Sequence, residues 1–88
     1  MDALPLTKLP NIGKTLAEKL TNVGITNEFE LKNTGSENAI IKIHTFDKND
    51  TCINMLYALE GAIQGIRWHN LENYRKEELK LFYHQLTK

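Results

Sequence analysis

Apolar positions recur along this chain at intervals of three and four residues, and nowhere alternate long enough to define a strand. Leu16, Leu20 and Val23 form one stripe with Ala17 beside them, and Lys14, Glu18 and Asn22 fall on the wet side. The spacing predicts a helix over about 13–23, ended by Gly24 with Ile25 packing back on it. Ahead of it, Pro5 suits the first position of a short helix over about 5–9. Pro10 ends that helix, because the residue before a proline avoids the helical region. Asn11-Ile12-Gly13 makes the turn, since Asn and Gly tolerate positive φ. Thr26 or Asn27 caps a helix over about 27–33, with Phe29 as its anchor and Glu28 and Glu30 at its positive end. Gly35 breaks it, and Ser36 caps a helix over about 36–46 whose stripe is Ala39, Ile40, Ile43 and Phe46. A polar turn, 47–51, leads to the most hydrophobic helix, about 51–67. Cys52, Met55, Leu56, Leu59, Ile63 and Ile66 form its wide face, extended by Ile53 and Tyr57, and this is the expected centre of the core. Within it Gly61 and Gly65 mark close approach of another backbone. After a break at His69-Asn70, a last helix over about 71–86 carries Leu71, Tyr74, Leu79, Phe82 and Leu86. The expectation is an all-α, single small domain of five to six helices.

Eighty-eight residues fit one domain with a single core and little stability to spare. Apolar and charged fractions of 41% and 25% are those of a soluble globular protein, which leaves the helical reading unchanged. Eleven basic residues balance eleven acidic ones, which argues against strong whole-molecule steering toward nucleic acid, membrane or acidic substrate and leaves room for a local basic patch. The single cysteine, Cys52, forms no internal disulfide and has no second thiolate for a metal site, which fits a reducing compartment. The N-terminus lacks the positive and apolar regions of a secretory signal. No segment reaches the roughly 18 apolar residues that span a membrane. A cytoplasmic protein is expected.

The short helix, the Pro-x-apolar-Gly turn and the second helix together read as a helix-hairpin-helix-like motif. The first N–H groups of the second helix have no internal partners and point outward at its positive end. Around Gly13, Lys14 and Thr15 they suit an anion, with Lys8, Lys14 and Lys19 as sources of added charge. Lys8, Asn11, Ile12, Gly13, Lys14 and Thr15 are therefore the candidate DNA-binding residues, holding the backbone without reading bases. Asn11 stands where such a turn usually has its first glycine, and its side chain threatens to obstruct a phosphate. The competing reading is a packing corner with Ile12 plugging the core.

Arg67-Trp68-His69 is the second candidate surface, for protein interaction, because Arg and Trp are enriched at binding hot spots. The alternatives are base stacking and simple closure of the core by the indole. Glu60, inside the most apolar helix, either joins a polar network with Arg67, Trp68 or His69 or lies exposed between stripes. Cys52 reads as a buried small hydrophobe. His44, His69 and His84 lie on separate segments without metal-ligand spacing. Glu72, Arg75, Lys76, Glu77, Glu78 and Lys80 read as a solvated mixed-charge face. No acid, base, nucleophile or metal set converges, so neither an enzyme nor a cofactor is expected.

Leu9-Pro10-Asn11-Ile12-Gly13, Leu20, Gly24-Ile25, Leu31, Gly35, Ala39 and above all the run 54–69, Asn-Met-Leu-Tyr-Ala-Leu-Glu-Gly-Ala-Ile-Gln-Gly-Ile-Arg-Trp-His, resemble the TfoX C-terminal domain family. That family is named for bacterial TfoX (Sxy) regulators of DNA-uptake competence, and the similarity covers about residues 6–83. The resemblance implies a helical, non-enzymatic domain in its stand-alone form. It further implies a regulatory or adaptor role in transcription regulation through a protein partner. DNA binding through the turn is the alternative, and a homodimer is compatible with both.

Overall fold

The computed structural model describes residues 4–88. Five α-helices follow in order: α1 (Lys14–Asn22), α2 (Glu28–Thr34), α3 (Ser36–Phe46), α4 (Ile53–Gln64) and α5 (Asn73–Leu86). Single 3-10 turns at Leu6–Lys8, Lys48–Asp50 and Trp68–Asn70 join or precede them. Among the described residues there is no strand, only an isolated bridge between Pro5 and Asn27. The domain is all-α.

The helix ends follow from local chemistry. Leu9, before Pro10, is extended at φ −82° and ψ 149°. Gly24, at φ 88°, closes α1 in a Schellman motif: Ile25 N–H donates to Leu20 C=O (2.9 Å) and Gly24 N–H to Thr21 C=O (3.0 Å). Asn27 caps α2 by accepting from Glu30 N–H at 2.9 Å, while the Glu30 carboxylate accepts from Thr26 N–H at 2.7 Å. Hydrogen bonds from the Thr26 hydroxyl and the Thr26 N–H hold the Glu30 carboxyl below its usual range.

The centre of the core is α4, which packs against α3 and α5, with α2 closing one side and α1 resting on α3. Leu20, Leu31, Ile40, Leu56, Leu59 and Leu79 are fully enclosed, so every helix contributes at least one anchor. This is the expected core, with corrections. Phe29, Phe46 and Tyr74 are exposed (64%, 67% and 66%), and Leu31 takes the place expected of Phe29. On the seven-residue α2 the core side is set by which single residue meets α3 and α4, and Leu31 does. Phe46 is the last residue of α3, beyond the reach of the core.

Four further expectations change at the ends of elements. Gly35, at φ 82°, is the N-cap of α3, and Ser36 is its buried first residue. Cys52 is exposed, because Thr51 and Cys52 are extended and α4 begins only at Ile53. The helix expected to reach residue 67 stops at Gln64, where Gly65 (φ 78°) and Ile66 repeat the Schellman bonds, to Ala62 and Gly61. The arm before the Pro10 bend is one 3-10 turn, so the expected hairpin has a single α-helical arm.

Candidate functional site

The turn at 9–15 is set by a buried plug and a half-buried hook. Ile12 is enclosed in the core at 5% exposure. Asn11 takes φ 69°, which its short polar side chain tolerates. Its carboxamide turns inward to the end of α4. There Nδ2 donates to Ile66 C=O at 2.9 Å and to Ala58 C=O at 3.4 Å, and Oδ1 accepts from Trp68 N–H at 3.1 Å. Gly61 makes this possible: a Cβ there would lie 2.5 Å from Asn11 Nδ2 and 2.8 Å from Ile66 O. Of the close approaches expected at Gly61 and Gly65, the one at Gly61 is real, with a side chain and the backbone of the following bend as its partners, whereas a Cβ on Gly65 would meet nothing within 4 Å.

Of the six candidate DNA contacts, Lys8, Gly13, Lys14 and Thr15 are exposed, Asn11 is half-buried and Ile12 is buried. The first intrahelical bond of α1 runs from Ala17 N–H to Gly13 C=O, so the N–H groups of Lys14, Thr15 and Leu16 precede it. The Asn11 amide points away from these groups and does not stand before them. A Cβ on Gly13 would meet nothing within 4 Å.

Asn11 also joins the two surfaces that the sequence treats separately. By holding Trp68 N–H it fixes the 3-10 turn Trp68–Asn70 against the end of α4. Trp68 is half-buried against the core, its ring stacked on Tyr57 (5.9 Å between centroids, 14° between planes) and on His69 (3.9 Å, 29°). Lys76 Nζ lies 5.8 Å from the Trp68 ring centre and donates to His69 C=O at 3.3 Å. Arg67 and His69 are exposed. The result is an ordered aromatic and cationic surface assembled from α4, the 3-10 turn and α5.

Glu60 has other partners than those expected, and Arg75 leaves the solvated face to provide one. The Glu60 carboxylate accepts from Ser36 Oγ at 2.6 Å, Gln64 Nε2 at 2.7 Å and Arg75 Nη2 at 3.0 Å. Burial pushes this carboxyl up. Hydrogen bonds from Arg75, Ser36 and Gln64, with the Arg75 charge, outweigh that and hold it below the usual carboxylate range. The bond to Glu60 raises the Arg75 guanidinium, and Glu37 and Glu78 pair with it further out at 3.8 and 3.3 Å. The network ties α3, α4 and α5 together, a structural role.

One concavity was not foreseen. A groove of about 460 Å³ runs between the start of α4 and the length of α5, with Ile53, Tyr57, Lys76, Lys80, Tyr83 and His84 among its walls. Tyr83 Oη is fixed by Thr51 Oγ1 at 3.0 Å, which in turn meets His44 Nδ1 at 3.1 Å. The signal was present in the spacing of Lys76, Lys80 and His84, four residues apart, but a mixed-charge helix face does not reveal that a neighbour walls it. Among the described residues, no group of three or more His, Cys, Asp or Glu is placed to hold a metal ion. No helix among them is long and apolar enough to cross a membrane.

The chain is similar to an uncharacterised protein from Listeria monocytogenes, seen in a triclinic crystal form. The two share 49% identity with a TM-score of 0.90 over 93% of this chain and 92% of that one. It is likewise similar to a protein of unknown function from Listeria monocytogenes in a tetragonal form, at 49% identity and a TM-score of 0.87 over 91% and 98%. No curated protein matches it. The sequence profile of the TfoX C-terminal domain matches residues 3–83. That match spans nearly the whole chain, Asn11 turn and Trp68 surface included, and the protein belongs to the TfoX C-terminal domain family.

Proposed function

We infer that this domain is a non-enzymatic, cytoplasmic regulatory adaptor that acts through protein–protein contacts. Its place is in transcriptional regulation of the kind the TfoX family is named for, the control of DNA-uptake competence. The observation that carries the reading is the anchored surface at Trp68. An indole stacked between Tyr57 and His69, tied down by Asn11 and flanked by Lys76, is large, rigid and ordered before any partner arrives. Rigid aromatic anchors with neighbouring cations are what binding hot spots are made of, and pre-ordering lowers the entropic cost of association. A photo-crosslinking residue at position 67 tests it, in the native host. The expected result is one reproducible cross-linked protein, lost in Trp68→Ala. Cross-linking that is absent, or indifferent to Trp68→Ala, contradicts it.

A second reading, sequence-nonspecific DNA binding at the turn, is favoured by the inward orientation of Asn11, which leaves the Lys14 and Thr15 amides unobstructed. It predicts duplex binding at low salt that weakens steeply with added salt and with Lys14→Glu. A low-salt titration without binding removes it.

A further inference from the structure

We propose that the groove between α4 and α5 is the seat of an acidic amphipathic helix of a protein partner. This rests on the protein-contact reading above and adds where the partner lies and what chemistry it presents. The α5 positions that line the groove, from Asn73 to His84, recur at intervals of three and four and so make one continuous stripe. At 1.5 Å per residue that stripe is roughly 16 Å long, which suits an elongated segment better than a compact small molecule. Lys76, Lys80 and His84 stand one turn apart along it, two ammonium groups and an imidazole in a row. Across from them, Ile53 and Tyr57 of α4 give an apolar wall one turn long.

An occupant matching both walls carries carboxylates one turn apart beside an apolar stripe, which is an acidic amphipathic helix. The groove is already ordered for it. Tyr83 Oη is held by Thr51 and His44, and Lys76 by His69 C=O, with further N–H donors on Lys76 left for a carboxylate. Lys80 has no ion pair among the described residues. Glu77 interrupts the groove with a negative charge, which a helix meets with a single basic or polar residue and a continuous phosphate backbone does not.

The test adds three probes separately to the isotopically labelled full chain and follows its amide shifts. They are a synthetic helix of about four turns with Glu residues one turn apart beside a leucine stripe, the same helix with Lys for Glu, and a DNA oligonucleotide. The acidic helix is expected to shift Tyr57, Lys76, Lys80 and Tyr83. The Lys80→Glu variant is expected to weaken binding about tenfold or more, as when an ion pair becomes a like-charge pair. Lys80 is exposed, so the variant keeps the wild-type melting temperature. Equal binding of the Lys helix, tighter occupation of the same residues by the oligonucleotide, shifts confined elsewhere, or no shift overturns the inference. So does a self-associated state that already covers Tyr83. If any of these occurs while cross-linking at position 67 still depends on Trp68, the groove inference falls and the adaptor reading stands.

Discussion

Asn11 combines three demands in one residue: a left-handed backbone, a donor for Ile66 C=O and an acceptor for Trp68 N–H. Asn11→Ala fails all three, leaving two half-buried backbone groups without their partner and placing alanine at positive φ. The expected cost is about 3 kcal/mol by urea denaturation. Asn11→Gly keeps the backbone and loses only the bonds, at about 1–2 kcal/mol. Gly61 is the other half of the same contact. Gly61→Ala gains about 1 kcal/mol of helix propensity. Against that, it drives a Cβ to 2.8 Å from Ile66 O and 3.2 Å from Trp68 Cα, both backbone atoms that cannot swing away. Overpacking wins, for a net loss of about 1–2 kcal/mol. Combined with Asn11→Gly the loss is less than additive, because one of the clashing atoms is gone. Additive costs, or a stabilised Gly61→Ala, contradict this packing account.

At the scale of elements, Glu60 is the knot between α3, α4 and α5. Its folded carboxyl titrates below its ordinary value, so it contributes stability that is fully present above about pH 4.3 and fades as pH falls through the folded value. Glu60→Gln is expected to cost about 2 kcal/mol at pH 7, with its stability curve converging on that of wild type as pH falls through the lowered folded value of Glu60. Arg75→Met strands a carboxylate that is only 8% exposed, at a cost of about 3 kcal/mol. Stability curves that stay parallel down to low pH contradict the assignment. The helices themselves were legible in the sequence, because periodicity and punctuation agree: the Leu16–Leu20 stripe and Gly24-Ile25 define α1 without ambiguity. What connects them was not. Arg75 pairs with a carboxylate 15 residues away on another helix, and local spacing carries no record of that. Asn11 reaches carbonyls 47 and 55 residues away, and the only hint was a glycine inside the most apolar helix. Phe29, Phe46 and Cys52 show the converse error: apolar character was visible, but at helix ends and on a seven-residue helix it does not say which side faces in.

At the scale of the molecule, zero net charge hides an uneven surface. The amides and Lys14 at the start of α1 make one small electropositive corner. The Trp68 stack and the groove of Lys76 and Lys80, with Glu77 also among its walls, make a second surface with aromatic content. Asn11 stands between the two, on the turn before α1 and in hydrogen bonds to Ile66 C=O and Trp68 N–H. The central claim is that function lies on the Trp68 side, in contact with protein. One measurement tests it most directly: an amide-shift map of the labelled chain, first with duplex DNA at low salt and then with native host extract. Host extract is expected to perturb Tyr57, Trp68, Lys76 and Lys80, and DNA to leave Gly13, Lys14 and Thr15 unmoved. Shifts at Gly13, Lys14 and Thr15 on adding DNA, with none around Trp68 on adding extract, would contradict it.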